Sequence, residues 1–133
     1  MDVDFSFICD HAEIVGKINA LGIGFDTIYA AQVPTTHPYF YLVVQLRASI
    51  TEAGQKEMEV RLIDADGKDV IPPISGSFEV PRPSAGTEAI ARLAVLFQSV
   101  TFSNYGSYSV RLVIQGTEMV RIPLRVSPPP QTA

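Results

Sequence analysis

Tryptophan is absent from this 133-residue sequence, and cysteine and histidine are scarce, with one and two copies. A single cysteine, Cys9, excludes a disulfide within the chain, so the fold must rest on a hydrophobic core. A chain of this length buries roughly two thirds of its unfolded surface, which is enough to fold without a metal or a disulfide. We therefore expect Cys9 to be a small buried side chain rather than a reactive thiol.

Positive charge is also in short supply, because ten Lys and Arg face 14 Asp and Glu, a formal net charge of −4. The sequence therefore has neither the excess of basic residues that gives nucleic-acid-binding proteins a basic face nor the polybasic segment of membrane-binding proteins. Residues 1–4 lack the basic start of a signal peptide, and no apolar run is long enough to span a bilayer. The sequence predicts a cytoplasmic protein that binds neither nucleic acid nor membrane.

What the chain does contain is alternation of apolar and polar residues, the pattern of half-buried β-strands. The clearest case is 39–50, where Phe40, Leu42 and Val44 share one face and Gln45 lies on the other. Hydrophobic residues make up 47% of the chain, which is typical of a globular core. The pattern recurs in five further segments: 4–10, 25–33, 57–62, 107–115 and 120–126.

Turn-forming residues separate these segments. Asp66-Gly67 and Gln115-Gly116 suit hairpin turns, and Pro72-Pro73 and Pro81-Arg82-Pro83 mark loops or sheet edges. Segment 84–100 fits both a helix and a strand from about residue 92 to residue 102. We favour the strand, with a helical turn allowed before it, because β-forming residues dominate its second half.

These elements predict an all-β fold, an antiparallel β-sandwich of seven or eight strands with immunoglobulin-like architecture. Residues 1–126 form a single domain, and residues 127–133 form a disordered, Pro-rich tail. The expected core consists of the inward-facing residues of the strands: Phe7, Phe40, Leu42, Val44, Leu46, Val60, Leu62, Phe97, Tyr108, Val110, Leu112, Ile122 and Leu124.

Two stretches of the chain have the character of motifs. The first runs from Cys9-Asp10-His11-Ala12-Glu13 through 16–22 to Phe25-Asp26-Thr27-Ile28. The second is Phe102-Ser103-Asn104-Tyr105-Gly106-Ser107-Tyr108. Both resemble a family of small bacterial proteins classed as a domain of unknown function, and the second also resembles a feature of immunoglobulin-like domains. The resemblance implies a β-sandwich and brings no activity, cofactor or site residue.

Two polar clusters invite a metal interpretation. Asp10, His11 and Glu13 offer ligand atoms, but Asp10 and His11 are sequential and would point to opposite faces of a strand. The acidic stretch 64–69 has alternate aspartates, but Ser75 stands where a calcium loop of the EF-hand type needs its glutamate. We interpret them as a solvated strand end and a hairpin turn. The sequence predicts no metal site, no cofactor and no catalytic residues.

Five arginines fall on the polar phase of their strands. Such a set fits two interpretations, a cationic patch that binds a carboxylate or phosphate, or a solvated sheet surface. We favour the second, because Glu57 and Glu59 share that phase with one of them. The five are Arg47, Arg61, Arg111, Arg121 and Arg125.

The outward phase of the clearest strand carries Tyr39, Tyr41 and Val43, where polar residues would be expected. An apolar, tyrosine-bearing outer face is typical of a surface that binds a partner. The alternative is that a loop, or the segment 84–91, covers it.

These observations favour a non-catalytic binding or structural module that mediates protein–protein association, with an unknown protein or with itself. The alternative is a small-ligand, anion or metal-binding protein centred on Asp10, His11 and the arginines. An antitoxin-like or immunity protein would also suit a small acidic domain, although no residue points to it specifically.

Overall fold

β-strands make up 68% of the chain, and the computed structural model, which describes residues 1–130, contains no α-helix among them. A single 3-10 turn spans Ile50–Glu52. The all-β prediction is confirmed, with ten strands in place of seven or eight. They are β1 (Asp2–Cys9), β2 (His11–Val15), β3 (Lys17–Leu21), β4 (Thr27–Tyr29), β5 (Thr35–Ser49), β6 (Gly54–Asp64), β7 (Ile74–Val80), β8 (Glu88–Phe102), β9 (Gly106–Ile114) and β10 (Thr117–Ser127).

The strands form three sheets. The first has the order β1-β5-β8, the second β4-β10-β9-β6-β7, and the third is the hairpin β2-β3. All pairs are antiparallel except β4, which runs parallel to β10.

The hydrophobic core lies between the three-stranded and five-stranded sheets and takes side chains from both. Phe40 on β5 stacks on Phe97 on β8 with ring centroids 4.6 Å apart, and Phe102 meets Tyr108 edge-on at 4.9 Å. Eleven of the thirteen predicted core residues are buried in this cluster. The exceptions are Ile122, which is partly buried, and Phe7, which packs outside it.

Phe7 shows that the predicted inward face of β1 is wrong. Ile8 is buried in the main core, whereas Phe7 and Cys9 point to the opposite, outer side of the sheet. A register shift between Val3 and Phe5 displaces the pairing of β1 with β5. Both faces of β1 carry apolar residues, so alternation alone does not identify the inner one.

The segment 84–100 is a strand over most of its length, since β8 begins at Glu88 and has no helical turn before it. Its fourteen paired positions with β5 explain this outcome, because each supplies a place in the ladder that a helix would lose. The segment 25–33 is shorter than predicted, since only Thr27–Tyr29 is strand, and within it Ile28 is buried.

The predicted turns lie where expected. Gln115 and Gly116 join β9 to β10 with φ of 49° and 80°, the positive values that a two-residue hairpin turn requires. Ser127 belongs to β10, so the tail begins one residue later than predicted, and its last part, 131–133, lies outside the described residues. Within the described residues, no helix is long and apolar enough to cross a membrane.

Candidate functional site

The predicted partner surface lies on the outer face of the three-stranded sheet, the side turned away from the core. Its three residues have different environments, because Tyr39 is 47% exposed, Tyr41 is half-buried and Val43 is fully buried. Val43 is therefore not part of the accessible surface, and the predicted set must be corrected at that position. The two tyrosines remain accessible to a partner to different degrees.

The hairpin β2-β3 is what covers Val43. Ala12 of the hairpin packs with Cys9 and Val43 in a second buried cluster, which Ile18 and Ala20 join from the same face of the hairpin. The cover is thus residues 11–21 rather than a loop or the segment 84–91. Burial raises the pKa of the Cys9 thiol, so this cysteine is held in its neutral, unreactive form.

Next to the hairpin lies what we call the tyrosine patch, a group of three exposed side chains and the half-buried Tyr41: Tyr39, Tyr41, Leu96 and His11. Leu96 on β8 lies opposite Tyr41 in the strand register and is 41% exposed. The ring of His11 meets the ring of Tyr41 edge-on, with centroids 5.5 Å apart. Aromatic rings that combine an apolar body with a polar tip are enriched at protein interfaces.

Sequence reasoning missed Leu96 and His11 as members of this patch. The sequence predicts a strand around Leu96 but no partner for it, and it indicates only a solvated strand end or a metal ligand for His11. The alternation of Leu96 with Val95 and Phe97 is the signal that places it on the outer face once the segment is known to be a strand.

A chain of hydrogen bonds closes the other end of the same face. Asp4 accepts two bonds from Arg47, at 3.2 and 3.0 Å, and one from Gln45 at 3.0 Å. Arg92 donates to Gln45 at 3.0 Å and to the backbone oxygen of Gly16, at the tip of the hairpin, at 3.4 Å. The hydrogen bonds from Arg47 lower the pKa of Asp4. This network links β1, β5 and β8 and attaches the hairpin tip to the sheet.

The outer face of the five-stranded sheet carries three of the predicted arginines in one row. Arg61 lies opposite Arg111, and Arg111 lies opposite Arg121, on the neighbouring strands β6, β9 and β10. Arg61 donates to both oxygens of Asp69, and Glu118 lies within 3.5 Å of Arg111 and 3.0 Å of Arg121. These carboxylates offset the charge of the row, as the solvated-surface interpretation expects.

The two candidate metal clusters have other roles. Asp64 accepts backbone N–H groups from Asp66 and Lys68, both at 2.9 Å, the bonding of a polar turn. His11 and Glu13 share one face of the strand β2, whereas Asp10 lies in the bend before it. Among residues 1–130, no three His, Cys, Asp or Glu side chains gather as metal ligands would.

A family model for the family of unknown function DUF6941 matches residues 4–127, and the chain belongs to this family. The predicted membership of a family of unknown function is thereby confirmed. No curated protein matches the chain. Among solved structures, Pseudomonas fluorescens alkylpurine DNA glycosylase AlkC, bound to DNA containing an abasic site analog, is similar over 92% of this chain, with 11% identity and a TM-score of 0.43. This chain corresponds to 30% of the length of that structure's chain.

Proposed function

We propose that this chain is a non-catalytic module that binds another protein through the tyrosine patch. The supporting observation is the uneven distribution of exposed large hydrophobic side chains. Within residues 1–130, seven of the ten lie on the three-stranded sheet, in the hairpin or in the loop after it: Phe5, Ile14, Val15, Leu21, Ile23, Tyr39 and Leu96. A concentration of apolar surface on one side of a molecule is typical of an interaction surface.

The fold that carries this patch is an immunoglobulin-like sandwich. Two features support this. The chain passes from the three-stranded to the five-stranded sheet after β5 and again after β8, as in sandwiches of that kind. The Tyr108 hydroxyl donates to the backbone oxygen of Asn104 at 2.6 Å, near the start of β9, the contact known as a tyrosine corner. That the protein is bacterial and cytoplasmic stays a prediction from the sequence.

The experiment is affinity co-purification of the tagged protein from its native cells, followed by mass spectrometry. The informative variant is Tyr39→Asp, because Tyr39 is 47% exposed and its replacement spares the buried clusters. Tyr41 is a poorer choice, since it packs against the cluster around Val43. The matched control is Tyr29→Asp, which changes an exposed tyrosine on β4 of the other sheet.

We expect one protein in near-stoichiometric amount with the wild type and with Tyr29→Asp, and its loss with Tyr39→Asp. Circular dichroism and thermal unfolding would show that both variants are folded. Retention of the same partner by Tyr39→Asp, or no partner with any of the three proteins, would count against the proposal.

Ligand binding is the competing function, centred on the arginine row. It predicts that inorganic phosphate raises the melting temperature, because a ligand that binds only the native state stabilises it. The carboxylates beside Arg61, Arg111 and Arg121 weigh against this function, since they already pair with the guanidinium groups. A flat response to phosphate and to divalent metals would remove its remaining support.

A further inference from the structure

The strand β8 lies at the edge of the three-stranded sheet and leaves one side unpaired. It has 15 residues and pairs only with β5 in the described part of the chain. The exposure of its inward side chains agrees with an edge position. Leu93 and Val95 are 8% and 9% exposed, whereas Leu42 and Val44 on the neighbouring β5 are fully buried. Along the free side, every second residue directs its N–H and C=O groups away from β5.

The other sheet edges carry features that oppose pairing with a further strand. On β1, Asp2 and Asp4 add charge, and the register shift beside Asp4 distorts the strand. β7 contains Gly76, which weakens a strand, and is flanked by Pro72-Pro73 and Pro81. The edge strand β4 has only three residues.

β8 lacks such features through its centre. From Leu93 to Gln98 it has no charge, no proline and no glycine. Its two charged residues, Glu88 and Arg92, hydrogen-bond within their own molecule, to Arg47 and to Gln45. The regular stretch ends at Ser99, whose φ of 52° bends the strand. A long regular edge without charge is a template for another strand.

We infer that the free edge of β8 pairs antiparallel with β8 of a second copy of this chain, with Leu93 opposite Leu93. This goes beyond the proposed function, because it assigns a second surface, the β8 edge, and names a second copy of this chain as its partner. The pairing would join the two three-stranded sheets into one six-stranded sheet, with a two-fold axis at its centre.

The sequence of β8 is complementary to itself in this register. Alignment on Leu93 overlaps the whole regular stretch 88–98 with its copy. On the outer face, Ile90 then lies opposite Leu96 and Arg92 opposite Ala94, so the exposed Leu96 gains an apolar neighbour and no two like charges lie directly opposite each other. Two-fold pairing of one strand with itself satisfies both free edges at once, which a strand from a different protein would not do.

The test is sedimentation velocity of the purified full chain over a range of concentrations. We expect the sedimentation coefficient to rise with concentration to the value of a dimer. Ala94 is exposed, and Ala94→Lys would place a lysine opposite Arg92 of the other copy at two symmetric positions. We expect the dissociation constant of the dimer to rise about tenfold. Ala94→Glu would instead face Arg92 with an opposite charge and should match or exceed the wild-type affinity.

The control is Ser77→Lys, which adds the same charge to an exposed position on the edge strand β7. It should leave the association unchanged. Hydrogen exchange gives a second readout, since amides in 88–98 should be protected at high concentration and those of β7 should not change. A monomer at every concentration, or equal effects of Ala94→Lys and Ala94→Glu, would overturn the inference.

The two proposals fail separately. A purely monomeric protein that still loses a different partner through Tyr39→Asp would refute the pairing of β8 and leave the proposed function standing. A dimer that is unaffected by Tyr39→Asp, with no other partner in the native cells, would support the pairing and count against the tyrosine patch.

Discussion

The two outer faces of this molecule differ in the kind of side chain that covers them. On the five-stranded sheet, arginines and carboxylates alternate over β6, β9 and β10, and none of the ten exposed large hydrophobic residues in the described chain lies on these strands or on β7. On the three-stranded sheet, the outer face is apolar at its centre. The chain's own hairpin covers Val43, while Tyr39 and Leu96 remain exposed.

The difference shows two ways in which the outer face of a sheet can be kept compatible with water. Ion pairs keep one face solvated, and exposed pairs of this kind contribute little to stability. The other face is covered by an added layer, so its central residues contribute as core residues do. Stability and association should therefore both respond more strongly to changes on the three-stranded sheet.

The largest effect is expected from matched substitutions at the centre of each face. Val43→Ala should lower the free energy of unfolding by about 2 to 3 kcal/mol, because it removes buried methyl groups beneath the hairpin. Arg111→Ala should lower it by no more than about 1 kcal/mol, since an exposed ion pair is lost and repulsion from Arg61 and Arg121 is relieved with it. Chemical denaturation of both variants measures the difference. Equal losses would mean that the hairpin does not act as a second layer.

The sequence was sufficient to predict the core side of β5, although not that of β1. On β5, Gln45 and Arg47 mark the outer phase, so Phe40 and Leu42 had to face inward, and both are buried. The uncertain segment 84–100 needed the pairing of β8 with β5 to settle it, and that pairing joins residues about fifty positions apart. Local propensity does not contain such information.

The hairpin could not be assigned its role from sequence. Ala12 and Ile14 alternate before Gly16, and Ile18 and Ala20 alternate after it, a pattern that fits a short two-stranded hairpin. An isolated hairpin of this length is only marginally stable, so the pattern alone is weak. The apolar residues on the outer phase of β5 indicate that this face is covered. They do not indicate whether the cover is the chain's own hairpin or a partner protein.

A smaller effect is expected where the hairpin joins the sheet. Gly22, directly after β3, has a φ of 68°, and a Cβ there would contact the carboxylate of Asp10. Gly116, in the turn of the five-stranded sheet, has a φ of 80° and open space around it. Gly116→Ala should cost about 1 kcal/mol for the left-handed backbone alone, and Gly22→Ala between about 1 and 2 kcal/mol, because Asp10 must also move.

Thermal and chemical unfolding of both glycine variants would compare the two turns. A larger loss of stability in Gly116→Ala than in Gly22→Ala would contradict this prediction. It would mean that the close approach of residue 22 to Asp10 does not constrain the hairpin. A Gly22→Ala variant that unfolds normally but exposes Cys9 to thiol reagents would show the hairpin detaching by itself.

The smallest effect is expected at the polar end of the three-stranded sheet, where exposed ion pairs resemble those of the other face. Hydrogen bonds from Arg47 and Gln45 lower the pKa of Asp4 below its ordinary 3.8 in the folded protein. The stabilisation is therefore fully present above that value and is lost as the pH falls through the folded pKa. Asp4→Asn should be slightly less stable than the wild type near neutral pH, and the difference should shrink in acid.

Denaturant unfolding of both proteins at several pH values measures this, with Arg47→Ala as the background in which the pH dependence should disappear. The hydrogen bond from Arg47 is the largest cause of the lowered pKa of Asp4. Without Arg47, protonation of Asp4 should therefore change the free energy of unfolding very little. A difference that grew in acid would have the wrong sign for a carboxylate stabilised by an arginine. A large difference at neutral pH would mean that this ion pair is shielded from water and is not the exposed pair that we describe.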